Sequence, residues 1–361
     1  YGVNEEWATG NDTYTLKDVN EVAEFDANHN ITRDATQYRA IWDAGGTDKI
    51  VYVGAKDTTI DLRAATLQYE EGGGGWMSYA FGVHGGFTIA NGVTIENATS
   101  GSGNDTLIGN GVKNVLNSGA GNDTLDGMGG ADRMIGGDGD DLYKVNNSRD
   151  SVVEASGEGN DTVESTADYS LGANVETLVY TGRSSAFLSG NGLDNLIDAS
   201  AAPQRVTVNG GAGNDEVIGG DGGDKLTGGA GDDELVGNGG KDTLIGSAGA
   251  DILDGGAAAD TFMFDQTAVD GSTDVIRGFS GGQGDKVNLN SIDADIGLGG
   301  NQAFTFIGAA AFSGVAGQLR LFVDGSGNQV AAGDVNGDGT ADFLILFETP
   351  AAPVLVADFI L

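Results

Sequence analysis

Gly136-Gly137-Asp138-Gly139-Asp140-Asp141-Leu142-Tyr143-Lys144 is one of a series of nonapeptides, and the series decides the fold. From Ser100 to Lys144 five such units follow one another without a slip. Their sixth positions are Asp105, Asn114, Asp123, Asp132 and Asp141, and their eighth are Leu107, Leu116, Leu125, Met134 and Tyr143. Six more units run from Gly210 to Met263. There the sixth positions are Asp215, Asp224, Asp233, Asp242, Asp251 and Asp260, and the eighth are Val217, Leu226, Leu235, Leu244, Leu253 and Phe262. Glycine at the first, second and fourth positions permits a turn with positive φ, which a side chain blocks. Residues seven to nine then make a short strand whose eighth side chain points inward. Two units close one coil of 18 residues, and successive coils pair as parallel strands about 4.8 Å apart. The expected fold is all-β: a parallel β-roll in two regular blocks joined by irregular coils, capped by β-rich N- and C-terminal segments.

The same spacing predicts metal sites. Such a turn points backbone carbonyls and the sixth-position carboxylate at one place, and a cage of hard oxygens suits Ca²⁺. In the first block the predicted ligands are Gly101, Gly103 and Asp105, then Gly119, Gly121 and Asp123, then Gly130 and Asp132, then Gly137, Gly139 and Asp141. In the second they are Gly211, Gly213 and Asp215, Gly220, Gly222 and Asp224, Gly229, Gly231 and Asp233, followed by Gly240 and Asp242, Gly249 and Asp251, and Asp260. Each ion is expected between turns on one edge, shared by repeats i and i+2, which gives about seven ions or more. Asn114 is a neutral ligand in a unit without the second and fourth glycines, so its site is the weakest. The nonapeptide is identified as the calcium-binding repeat of the RTX family.

Composition agrees with a cation partner. The 361 residues carry 17 Lys+Arg against 54 Asp+Glu, a formal net charge of −37, with 64 Gly and no Cys. A chain this acidic repels itself unless cations neutralise it, and it has no basic patch for nucleic acid or an anionic membrane. Absence of Cys excludes disulfides, thiolate zinc and thiol catalysis. No apolar run approaches the roughly 20 residues that span a bilayer. The opening Tyr1-Gly2-Val3-Asn4-Glu5-Glu6 carries no signal peptide and reads as a truncated start.

Residues 145–209 break the strict period and are expected to form an irregular β-solenoid insertion between the blocks at 100–144 and 210–263. Two fragments, Ser156 to Val163 and Ser189 to Leu196, fit the register and offer Gly159, Asp161, Gly192 and Asp194 as further ligands. A solenoid exposes a core and a sheet edge at each end, so it needs caps. Residues 1–99 and 264–361 are read as those caps, and most of the aromatic residues lie there. Lys49–Val53, Phe87–Ile89, Gln318–Val323 and Phe343–Phe347 are their clearest strands. Asp334-Val335-Asn336-Gly337-Asp338-Gly339 has acids at EF-loop spacing, but Ile345 stands where a bidentate Glu belongs, which favours a hairpin.

Laid out this way, the chain resembles the C-terminal region of the serralysin-type secreted metalloproteases. The matching stretches are Tyr1-Gly2-Val3-Asn4, Ile41 to Asp48, Asn91 to Ala98, Gly284-Asp285-Lys286-Val287, Gly317 to Arg320 and Gly333 to Gly339. The resemblance covers 1–144 and 210–361, and the middle departs from the family's single shorter roll. It implies that Thr94 and Glu96 complete the first turn with Gly101, Gly103 and Asp105. It also implies that Asp43, Gly45, Gly46 and Asp48 share an ion with the turn holding Gly10 and Asp12, although Ala8 stands where the family usually has Arg. The ending Asp358-Phe359-Ile360-Leu361 resembles the C-terminal signal read by type I secretion machinery.

The family's zinc motif, His-Glu-x-x-His, is absent; His29 and His84 stand in unrelated contexts. The chain is therefore expected not to be an enzyme, and a metalloprotease domain is expected to precede it in the full-length protein. The implied function is a calcium-binding RTX module of an extracellular protein from a Gram-negative bacterium, which folds on Ca²⁺ and supports type I secretion. The alternatives are a noncatalytic surface-layer or adhesive protein and an accessory module of a carbohydrate-acting enzyme.

Overall fold

The structure, a computed structural model, describes residues 10–17, 24–25, 31–33, 38–43, 45–66, 75–83 and 85–361. His29, His84, Ala8 and the Tyr1–Asn4 motif lie outside the described residues. The chain divides into two compact units, residues 1–167 with 172–175 and residues 168–171 with 176–361, so the division falls inside 145–209. Both units are all-β parallel rolls, in which the chain alternates between two facing sheets.

In the first unit, one sheet orders Thr13–Thr15, Lys49–Val51, Asn97–Thr99, Val115–Ala120, Arg133–Asp138 and Ser151–Val153, all parallel. The other orders Thr58–Asp61, Thr106–Asn110, Thr124–Met128, Leu142–Val145 and Thr162–Ser165, with Tyr79–Ala80 antiparallel at its edge. Eighth-position residues stack along the interior: Leu107 opposite Leu125, Leu125 opposite Tyr143, and Tyr143 opposite Val163. Each of these four is fully buried, and burying a side chain of this size stabilises by roughly 1.5–3 kcal/mol. At the N-terminal end Tyr38–Ile41 pairs parallel with Gly86–Ile89, and the Arg63 guanidinium covers the Trp76 ring at 3.6 Å.

The second unit repeats the plan. One ladder runs Leu188, Val208, Leu226, Leu244, Phe262, Val287 and Phe359. The facing ladder runs Leu178, Ile197, Val217, Leu235, Leu253, Ile276 and Phe347. Residues 176–209 thus carry roll strands, at coil lengths that differ from 18. Past the last nonapeptide the core widens, and rings replace aliphatic side chains. Phe279 lies 6.0 Å from Phe262 and 5.4 Å from Phe347, and Phe359 lies 6.3 Å from Phe347. The antiparallel strands Gln318–Val323, Gln329–Asp334 and Phe343–Glu348 finish this end. The EF-like stretch is the hairpin between the last two: Asp334 accepts from the Gly337 and Gly339 amides, and Asp342 from the Val335 amide. Phe359–Ile360 is the final strand, parallel to Lys286–Ser291, with the Lys286 Nζ 3.5 Å from Asp358.

Candidate metal centre

At the start of most roll strands in the regular blocks stands a carboxylate whose side chain reaches along the edge of the roll. Its Oδ1 accepts the backbone N–H of the equivalent residue one coil earlier. On one edge of the first unit Thr58 donates to Asp105, Asp105 to Asp123, Asp123 to Asp141 and Asp141 to Asp161, all at 2.7–2.9 Å. On its other edge Asn114 donates to Asp132 and Asp132 to Asp150. In the second unit Asn195, Asp215, Asp233, Asp251 and Asp274 form one ladder. Val206, Asp224, Asp242, Asp260 and Asp285 form the other. Only one oxygen of each carboxylate is used this way.

The second oxygen divides the turns into two kinds. In closed turns it, or the Asn amide oxygen, takes an N–H of its own turn. Gly101 donates to Asp105, Asn110 to Asn114, Asn146 to Asp150, Asn191 to Asn195, Gly220 to Asp224 and Ser280 to Asp285. In open turns Oδ2 is buried and has no hydrogen-bond partner; these belong to Asp123, Asp132, Asp141, Asp215, Asp233, Asp242, Asp251 and Asp260. The backbone explains the split. Every open turn has positive φ at its second and fourth positions, as at Gly137 (97°) and Gly139 (131°), whereas Gly220 and Gly222 of a closed turn do not. Positive φ rotates the second-position amide away from the carboxylate. Non-glycine residues meet the same demand: Met128, Asn238 and Ser247 at second positions and Ala258 at a fourth all have positive φ.

Carbonyl oxygens converge on the same gaps. A side chain at Gly137 would collide with the Gly119 carbonyl oxygen, and one at Gly139 with that of Gly121. The pattern repeats for Gly119 and Gly121 against Gly101 and Gly103, and for Gly130 against Val112. In the second unit Gly229 and Gly231 meet Gly211 and Gly213, Gly240 meets Gly222, and Gly249 meets Gly231. Between consecutive open turns lie unpartnered carboxylate oxygens and backbone carbonyls, all hard donors, the set that Ca²⁺ accepts. Leaving one buried polar atom unpaired costs roughly 1–3 kcal/mol, so a run of them in register fits a cation. Burial pushes Asp123, Asp132, Asp215, Asp251 and Asp260 up to about 6, and Asp141, Asp233 and Asp242 up to about 7. Neighbouring carboxylates add to the rise in each of these ladders, and backbone N–H donors oppose it.

The N-terminal group assembles as the resemblance implies. Carboxylate oxygens of Asp12, Asp43 and Asp48 lie within 4.8 Å of one another, and a side chain at Gly46 would meet the Gly10 carbonyl. Gly45 donates to Asp43, and Tyr14 donates its hydroxyl to Asp43 at 2.7 Å. Two other expectations change. Glu96 does not join Gly101, Gly103 and Asp105: its carboxylate accepts the Asp48 amide and its carbonyl the Val115 amide, which places it on the other edge. The following strand, Asn97–Thr99, registers with Val115–Asn117 and fixes that side; Thr94 is exposed. Gly192 and Asp194 are one residue out of register. Ile197, not Leu196, is the fully buried residue of its strand, so Asn195 takes the sixth position. The exposed Asp194 instead accepts the Asn214 amide at 2.7 Å. Gly159 and Asp161 do stand where expected, with Gly159 against the Gly139 carbonyl and Asp161 bonded to the Asp141 amide.

Sequence reading missed Asp150, Asp274 and Asp285 as ladder members, and Glu154. The first three follow coil steps of 18, 23 and 25 residues. The usable signal was local: each acid precedes a buried apolar residue by two positions, Val152, Ile276 and Val287. Asp274 is raised to about 8 by burial, with Asp251 and Asp270 adding to the rise, and Glu154 to about 9 by burial and the nearby Asp161.

A parallel β-roll with carboxylates and carbonyls converging between its turns is the class that fold and site define. The chain belongs to the Peptidase M10 serralysin C terminal family, whose model matches residues 4–361. That match takes in 145–209, which the resemblance read from the sequence left outside. Among similar proteins, a serralysin of Photorhabdus laumondii is 38% identical over 117 residues, covering 32% of this chain and 19% of that protein. Metalloprotease AprA of Pseudomonas entomophila and a serralysin of Proteus mirabilis are each 34% identical over 117 residues, covering 32% of this chain and 21% of theirs. The aligned stretch thus spans about a fifth of those relatives. Among the described residues no helix is long and apolar enough to cross a membrane.

Proposed function

We propose that this chain is the calcium-folding module of a secreted serralysin-like metalloprotease, exported unfolded through type I machinery and ordered by Ca²⁺ outside the cell. The observation that carries the reading is the register of buried, unpartnered Oδ2 atoms from Asp123 to Asp260. Each sixth-position Asp fixes its own orientation by accepting the preceding coil's N–H through Oδ1, so Oδ2 is pre-aimed into the gap. Carbonyls of the second and fourth residues close the gap from the preceding coil. Calcium held there supplies the positive charge that links successive coils and offsets part of the net charge of −37. Each occupied site adds about 2.7 kcal/mol at a hundredfold excess of ion over Kd.

With the gaps empty, the same carboxylates repel and a core one residue deep per strand does not offset chain entropy. That is the state a narrow export channel needs. The tail Asp358-Phe359-Ile360-Leu361 is the secretion signal in this reading, accessible before folding and paired as the last strand afterwards. Peptide hydrolysis belongs to another segment of the protein, because these 361 residues hold no His-Glu-x-x-His. Far-UV circular dichroism during a calcium titration tests the proposal. A β spectrum should develop on calcium and vanish with EGTA; a β spectrum indifferent to EGTA would overturn it.

A further inference from the structure

The coil step from Asp141 to Asp161 is 20 residues, two longer than the regular one. Its strand register is conserved across the step, with Ile135 opposite Val153, so Glu154 stands opposite Gly136, the first position of its turn. At Gly136 that place has no room for a side chain: a Cβ would run into the Asp141 carboxylate and the Tyr143 hydroxyl. The two extra residues widen the next turn and admit a glutamate. Glu154 is 8% exposed, and neither of its carboxylate oxygens meets a hydrogen-bond donor; the Glu158 carboxylate, another acceptor, lies beside it. Asp141, 2% exposed, likewise leaves Oδ2 unpartnered. Oxygens of Asp141, Glu154 and Asp161 lie within 4.8 Å of one another, and the Gly139 carbonyl faces the same turn at Gly159.

We propose that Glu154 joins Asp141 and Asp161 around one hard cation, supplying a carboxylate that the nonapeptide rule does not provide, and that this is the tightest Ca²⁺ site of the first unit. The inference rests on the calcium reading of the regular turns. Calcium affinity rises with the number of charged ligands and the rigidity of the site; here three buried carboxylates converge where a regular gap gathers those of two turns, and the Asp12–Asp43–Asp48 group has only two buried members. An all-oxygen set with several carboxylates suits Ca²⁺ or a lanthanide better than Mg²⁺, which demands a small octahedral shell.

Calcium titration of the full chain against a chromophoric chelator tests this, with wild type compared with Glu154→Gln and with Glu216→Gln, an exposed acid of equal charge. Glu154→Gln should lose the tightest binding step, by about tenfold or more in affinity, and keep the weaker steps and the β spectrum at saturating calcium. Glu216→Gln should match wild type. Retention of the tightest step by Glu154→Gln would overturn the proposal while leaving the regular sites standing. Equal weakening of every step together with loss of the β spectrum would also overturn it, since Glu154 would then act on folding and not on one ion. A wild type that takes up no calcium at all would remove the regular-turn reading and this site with it.

Discussion

The turns ending at Asp224 and at Asp233 make an instructive pair. Gly219-Gly220-Asp221-Gly222-Gly223-Asp224 has glycine at every required position, yet its carboxylate is spent on the Gly220 amide. Gly228-Gly229-Ala230-Gly231-Asp232-Asp233, with the same glycines, leaves Oδ2 bare. The neighbours differ. Gly229 and Gly231 stack on Gly211 and Gly213 of a regular turn, whereas Gly220 and Gly222 stack on Ala202 and on the Gln204–Arg205 peptide of an irregular one. In this pair the turn that opens is the one stacked on another regular turn, so the unit of function is a pair of turns. Two closed turns carry Asn at the sixth position, Asn114 and Asn195, consistent with a cap that needs no charge.

The comparison can be broken most decisively at the carboxylates. Asp233→Asn should lose about 2.7 kcal/mol of calcium-dependent stability for each adjoining ion at a hundredfold excess. Asp224→Asn should cost about 1 kcal/mol and no ion; chemical denaturation with and without calcium measures both. Equal losses would erase the distinction between open and closed turns. Next come the glycines. Gly231, at φ 129° and against the Gly213 carbonyl, should cost about 3 kcal/mol as Gly231→Ala. Gly192, with open space around it and no positive φ, should stay within about 0.5 kcal/mol as Gly192→Ala.

Proton linkage sharpens the contrast further. In the calcium-free roll the open-turn carboxylates are raised to about 6 to 7, above the unfolded value near about 3.9. The folded state therefore binds more protons between those values, and this contribution is full below about pH 4 and lost as pH rises through about 6 to 7. In chelator, β content should be greater at pH 5 than at pH 7.5. Calcium affinity should move the other way, since protons compete for the same oxygens. A chelated sample that orders on alkalinisation would contradict the first, and a calcium affinity that falls as pH rises would contradict the second. A further effect concerns strain: Ala258 holds φ 97° at the fourth position of its turn, where the other open turns have glycine. Ala258→Gly should raise calcium-loaded stability by about 1 kcal/mol.

Much of this was legible in the nonapeptides. Every eighth-position residue from Leu107 to Phe262 is buried, because a period of nine fixes both strand and face. What escaped was whatever depended on three-dimensional neighbours. Asp274 and Asp285 follow longer coils, so their spacing hid them, although each stands two residues before a buried apolar residue as Asp260 does. Asp194 looked like a ligand because it is an acid near glycines. A one-residue slip reverses a strand's faces, and the burial of Ile197 settles that slip in favour of Asn195. Glu96 was assigned to the wrong edge for a related reason: nothing in its own sequence states which sheet its strand will join.

Anomalous diffraction from calcium-grown crystals tests the central claim most directly. The account predicts calcium peaks in the gaps between open turns, at the Oδ2 atoms of Asp123, Asp141, Asp233 and Asp251 among others, with Asp224 still capping Gly220. Ordered turns whose Oδ2 atoms hold only water, or rotate onto their own backbone amides in saturating calcium, would contradict it.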